Sequence, residues 1–174
     1  MINIVTKDLL LRHLWDRKPG VYSFVNPYSA QFLTDTESIL FGVDSWILAK
    51  TLRVTQCSFD NSSIAPFFFQ EVQNSNGSLL IIGSDSHNLK LFGETLEGIY
   101  NLNVSYIDGY RNFEEYRRIV SELNPNFILI GTGTPKQEEL GVKLFDGVRF
   151  IITCGGFITQ ASREFNYFPK WATR

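Results

Sequence analysis

Short apolar runs alternate along almost the whole chain with stretches whose apolar residues recur at helical spacing. Runs at residues 21–25, 39–43, 79–82, 102–107, 127–130 and 148–153 predict strands. Between them, residues 46–52, 64–72, 89–99, 113–123 and 137–145 predict helices. The alternation predicts an α/β, Rossmann-like fold: a largely parallel sheet with helices on both faces, built as a single domain over residues 1–174. There is no internal repeat or low-complexity segment. The polar stretch 57–63 reads as a loop or weak boundary, and 73–78, with Asn76-Gly77, as a turn.

Composition narrows the function. The 174 residues are 44% hydrophobic and include 15 Phe, enough for one domain with a sizeable core. Sixteen basic residues face 18 acids, for a net charge of −2, so no nucleic-acid partner is expected. Cys57 and Cys154 lie far apart with no second pair, and two His are too few for a His/Cys zinc cluster; the chain reads as cytosolic, without a structural metal. Lys7 and Asp8 interrupt the N-terminal stretch, which argues against a signal peptide. No apolar run approaches the roughly 20 residues that span a bilayer, so membrane contact is expected to be peripheral.

In parallel sheets ligands sit where the strands end. Those ends carry Asn26-Pro27, Asp44-Ser45, Gly83-Ser84-Asp85, Asp108-Gly109-Tyr110, Gly131-Thr132-Gly133 and Cys154-Gly155-Gly156. The sharpest junction is the fifth, where an apolar run stops at Gly131-Thr132-Gly133 and a helix signal follows at once. Glycines there allow a turn and close approach, Thr134 can cap and Pro135 can open the next helix, and its N–H groups suit a diphosphate. Gln137 and Glu138 fall in the first turn, where both also have ordinary capping and dipole roles.

Other candidates carry ordinary readings as well. Asp44, alone, is most often a helix N-cap, and Asn26 before Pro27 a turn or cap. Gly83-Ser84-Asp85 is a phosphate cradle or a tight turn with a capped helix. Arg53 pairs a diphosphate or simply ends its helix, and His87 reads as a surface residue. The full G-x-G-x-x-G fails, since Lys136 occupies its sixth position, and G-x-x-x-x-G-K-[ST] is absent. No Asp-x-Asp follows a strand; Asp35-Thr36-Glu37 precedes one and reads as a solvated loop.

Taken in order, these pieces resemble the WecG/TagA/CpsF family of bacterial glycosyltransferases, from about Val21 to Trp171. Phe24-Val25-Asn26-Pro27 is similar to its Thr-x-Asn-Pro segment, Asp44-Ser45 to its Asp-Gly, and Arg53-Val54-Thr55 to its Arg-Val-Thr-Gly. Leu80-Ile81-Ile82-Gly83 matches a strand ending in glycine, and Gly109-Tyr110 the Gly-Tyr after the next. Most specific is Asn124-Pro125 through Gly131-Thr132-Gly133-Thr134-Pro135-Lys136-Gln137-Glu138, followed by Gly155-Gly156 and Pro169-Lys170-Trp171.

The resemblance implies an inverting, metal-independent transferase without a cofactor. Its donor would be a UDP-sugar of the N-acetylmannosamine or uronic acid type. Its acceptor would be a polyprenyl-diphosphate-linked saccharide, met at the inner face of the cytoplasmic membrane; homo-oligomers are compatible with it. Asp44 becomes the general base, in need of an apolar wall to raise its pKa. Substrate binding falls to Asn26, Arg53, Gly83, Tyr110, Gly131, Thr132, Pro135, Gln137, Glu138, Gly155 and Gly156. Phe24, Ser45, Gln56, Thr159 and Tyr167 depart from the family's residues and point to a branch with its own donor or acceptor. The family continues past Pro-Lys-Trp into a Trp-, Leu-, Tyr- and Arg-rich segment that helps close the site and meet the membrane, so a chain stopping at Arg174 is expected to lack it. The alternative is a sugar-nucleotide-binding or regulatory module on the same fold.

Overall fold

A computed structural model describes residues 2–33 and 37–163. Asp35, Thr36, Tyr167 and Pro169-Lys170-Trp171 lie outside the described residues. In chain order the elements are β1 (Asn3–Ile4), α1 (Lys7–Trp15), β2 (Gly20–Val25), a 3-10 turn (Ser29–Phe32), β3 (Ile39–Val43), α2 (Trp46–Leu52), α3 (Ala65–Asn74) and β4 (Leu79–Gly83). There follow α4 (Ser86–Tyr100), β5 (Val104–Ile107), α5 (Phe113–Leu123), β6 (Phe127–Gly131), α6 (Lys136–Leu144), β7 (Phe150–Thr153) and α7 (Phe157–Arg163).

The strands form one sheet in the order β1-β3-β2-β7-β6-β4-β5, every pair parallel. This is the Rossmann-like α/β arrangement that the pattern predicts. Its central strands are covered on both faces, which is why they read as unbroken apolar runs. In β4, β6 and β7, Leu79, Ile81, Phe127, Leu129, Phe150 and Ile152 turn to one face, where α1, α3, α4 and α7 pack. Leu80, Ile82, Ile128, Ile130 and Ile151 turn to the other, under α2, α5 and α6.

Local chemistry sets the helix limits. Thr6, Ser45, Asp85 and Asn112 cap α1, α2, α4 and α5 through their side chains, and Asn112 forms a capping box with Glu115. Arg53, Asn101 and Asn124 close α2, α4 and α5 in left-handed backbone. Four elements were not expected from the pattern: β1, α1, the 3-10 turn and α7. The signal for α1 is present in the Thr6 cap and in Leu10, Leu11 and Leu14, all buried at helical spacing.

The C-terminal ends of β4 and β6 touch. Gly83 stands beside Gly131 in register, with φ at +148°, and a Cβ on it would lie 2.5 Å from the Gly131 carbonyl oxygen. Only glycine lets these strand ends close.

Candidate active site

Beyond β2 the chain runs into the 3-10 turn on one face of the sheet, and beyond β7 it runs into α7 on the other. The connections therefore diverge above the C-terminal ends of β2 and β7, and a crevice opens there. It holds a cavity of about 460 Å³, a size suited to a small ligand. Asn26 and Ser29 line it from the turn after β2, Asp44 from the end of β3, Ser58, Phe59 and Asp60 from the stretch before α3, Thr134 and Gln137 from the entry to α6, and residues 153–157 with Gln160 from β7 and α7.

Asp44 is not the cap of α2. Ser45 takes that role, its Oγ accepting the Leu48 N–H at 3.3 Å, which leaves the Asp44 carboxylate to the cavity. Asp44 is half-buried, and its pKa is raised to about 6, first by burial and then by the negative charge of Asp60. The apolar wall is aromatic: Phe24, Phe59 and Phe157 line the same cavity, and Phe59 meets Phe24 and Phe157 edge-on at 6.3 and 5.3 Å between centroids. A carboxylate with proton affinity near neutrality is suited to accept a proton during a reaction.

Asp60 is buried and fixed by its own loop. Its Oδ2 accepts the Ser58 hydroxyl, and its Oδ1 accepts the Ser62 N–H at 2.7 Å and hydroxyl at 2.6 Å. The sequence reads this polar stretch only as a loop or weak boundary; a carboxylate among serines is the available signal.

Below the cavity floor lies a polar cluster inside the core. Ser23 and Thr153, both fully buried, interrupt apolar strands, and their hydroxyls meet at 2.7 Å. Ser23 also donates to Glu138 Oε1 at 2.7 Å, and the Gln137 amide donates to the same oxygen at 2.8 Å. Gln137 Oε1 accepts the Gly155 N–H at 3.1 Å. The start of α6 is thus bound to β2 and to the turn after β7. A Ser and a Thr at inward positions of apolar strands marked this cluster in the sequence.

Of the expected site residues, Asp44, Asn26, Gln137, Gly155 and Gly156 come together around the cavity. Asn26 also serves its turn, its Oδ1 accepting the N–H groups of Tyr28 and Ser29 at 3.0 and 2.8 Å. Glu138 lies behind the lining, buried, and its Oε2 has no hydrogen-bond partner among the described residues. Gly83, Gly131, Thr132, Pro135, Arg53 and Tyr110 are outside the lining. Gly131 packs against Ile158 and Cys154, the buried Thr132 hydroxyl has no partner among the described residues, and Pro135 is the residue that caps α6. Arg53 ends α2 with its side chain exposed, and Tyr110 is 78% exposed.

Two expectations at the β6–α6 junction are corrected. Thr134 is not a cap; its hydroxyl donates to Glu138 Oε1 at 3.2 Å. The second, free N–H groups at the start of α6, is narrowed: the Gly133 and Pro135 carbonyls accept those of Gln137, Glu138 and Glu139. The glycine turn that faces the cavity is Gly155-Gly156, where Gly155 has φ at +53° and open space on its Cβ side. Asp85 resolves to the cap of α4, its Oδ1 accepting the Asn88 N–H at 2.9 Å.

Among the described residues, no group of three or more His, Cys, Asp or Glu is placed to hold a metal ion, and no helix is long and apolar enough to cross a membrane.

The sequence model of the Glycosyl transferase WecG/TagA/CpsF family matches residues 20–174. The chain is also similar to a UDP-Gal:alpha-D-GlcNAc-diphosphoundecaprenol beta-1,4-galactosyltransferase from Shigella boydii. The two are 27% identical over 191 aligned positions, which take in 99% of this chain and 81% of the relative.

Proposed function

Since the chain belongs to the WecG/TagA/CpsF family of glycosyl transferases, we propose that it moves a sugar from a UDP-sugar to a polyprenyl-diphosphate-linked saccharide, with inversion and without a metal, in cell-surface polysaccharide synthesis. The donor and acceptor classes are supported by the relative, whose name gives UDP-Gal as donor and a GlcNAc-diphosphoundecaprenol as acceptor. Galactose thereby joins N-acetylmannosamine and the uronic acids among the sugars to be tested. Acting on a lipid-anchored acceptor, the protein would work at the inner face of the cytoplasmic membrane.

The observation that carries the mechanism is the Asp44 carboxylate, spared from capping and half-buried in a switch-point cavity that Phe24, Phe59 and Phe157 also line. The acceptor hydroxyl oxygen attacks the anomeric carbon as its proton passes to Asp44. The bond from that carbon to the diphosphate breaks on the opposite face, and UDP leaves with the electron pair. Inversion agrees with the β linkage in the relative's name, since UDP-hexoses carry their sugar in α linkage. The diphosphate is placed against the Gly155-Gly156 turn, which Gln137 holds by accepting the Gly155 N–H and where open space beside Gly155 allows close approach. Arg53, which the resemblance gives to the diphosphate, stands outside the lining, so it ranks second in that role.

The test is transfer by the full chain from UDP-galactose, UDP-N-acetylmannosamine and UDP-glucuronate to a GlcNAc-diphosphate-lipid, with and without a chelator. One donor should give a product of β configuration by NMR, undiminished by chelation. UDP binding without transfer from any donor would select the non-catalytic module instead.

A further inference from the structure

Five large apolar side chains are exposed on the two segments that leave β2 and β3, beside the cavity mouth. Tyr28 is 71% and Phe32 42% exposed in and before the 3-10 turn; on α2, Trp46 is 66%, Ile47 56% and Leu52 45% exposed. Tyr28 and Phe32 meet edge-on at 5.1 Å. Both segments sit on the same face of the sheet, through Ala30, Leu33, Leu48 and Ala49, and both follow strands that pair directly. Asn26, Ser29 and Asp44 of these same connections line the cavity.

Charge distinguishes this face from the rest of the molecule. The chain as a whole carries −2, yet residues 45–57 contain Lys50 and Arg53 and no acid, and residues 26–33 contain no charge at all. Exposed Trp and Tyr with flanking cations is the composition that settles at the boundary between lipid headgroups and acyl chains. Basic groups add attraction to anionic lipid.

We propose that the face formed by the 3-10 turn and α2 docks on an anionic phospholipid bilayer, so that the mouth of the Asp44 cavity meets the membrane where a lipid-linked acceptor is presented. The proposal rests on the acceptor class inferred above, because a diphosphate-linked saccharide extends only a short way from the bilayer. Geometry supplies the link: the docking side chains and the base share the same two connections, with Trp46 two residues from Asp44.

The experiment uses the full chain and vesicles of phosphatidylcholine with or without phosphatidylglycerol. Wild type should co-sediment with the anionic vesicles and detach as salt is raised. The double variant Trp46→Ser/Ile47→Ser should lose binding by about tenfold or more. Lys50→Glu, an exposed change that disturbs no packing, should weaken binding to anionic vesicles alone. Transfer to a long-chain acceptor embedded in vesicles should fall in parallel, while transfer to a short, water-soluble acceptor stays unchanged. Absent transfer to both acceptors would count against the proposed reaction yet leave the vesicle result to decide the docking face. Wild type that ignores anionic vesicles, or variants that bind them as wild type does, would overturn the proposal. A dimer that dissociates in the double variant while vesicle binding persists would assign the face to a second copy and overturn it equally.

Discussion

The Gln137 side-chain carbonyl accepts the backbone N–H of Gly155 at 3.1 Å, joining the first turn of α6 to the glycine turn above β7. Gln137 is 4% exposed, and its amide is oriented by Glu138 on the other side. Gln137→Ala would leave the Gly155 N–H and the Glu138 carboxylate each short of a partner. Stability should drop by about 1–3 kcal/mol, and UDP affinity should fall because the turn is no longer held. Urea unfolding and calorimetric titration of UDP measure the two effects separately.

Ser23 tests the cluster from below. It links Glu138 and Thr153 through one hydroxyl, so Ser23→Ala removes both bonds with the least change in bulk. The expected cost is about 1–3 kcal/mol, read as a lower urea midpoint with an unchanged slope.

Two glycines should respond differently to Ala. At Gly83 the new Cβ meets the Gly131 backbone, which cannot step aside, at a positive φ; the cost should be about 3 kcal/mol or more. At Gly133, also at positive φ but facing open space, only backbone strain is added, about 1 kcal/mol. Thermal melts of the two variants give the order directly.

The fold was legible where one force dominates. Ile39–Val43, Trp46–Leu52 and Phe113–Leu123 match the expected ranges to the residue, because burial on both faces, or one wet and one dry side, writes a clear period. The candidate site was legible in its location, through the strand-end rule, and Asp44, Asn26, Gln137 and the Gly155-Gly156 pair among the expected residues line the cavity. Which glycine turn lines the cavity was not legible. Gly131-Thr132-Gly133 has the richer motif, but Gly131 packs against Ile158 and Cys154 and does not line the cavity, a matter of backbone course and not of residue type. Asp60 was missed for a related reason: long-range packing, not local pattern, brings it to the cavity.

The raised pKa of Asp44 also bears on stability. Its carboxyl titrates near 3.8 when unfolded and about 6 when folded. Below pH 3.8 both states hold the proton. Between about pH 4 and 6 the unfolded state loses it while the native state keeps it, so stability falls as pH rises and stays lower above 6. Asp44→Asn carries no charge and escapes that loss. Its melting temperature should exceed that of wild type at pH 7 and equal it near pH 3.5, as a pH series of melts would show.

The pH dependence of transfer by wild type, beside Asp44→Asn, tests the central claim most directly. A base must be ionised to accept a proton, so kcat/KM should rise with pH, level off above about 6, and lose its acidic limb in the variant. Asp44→Asn should bind UDP as wild type does but transfer at a rate lower by a factor of about 100 or more. Turnover by Asp44→Asn equal to wild type, with the same pH profile, would contradict the assignment of Asp44 as the base.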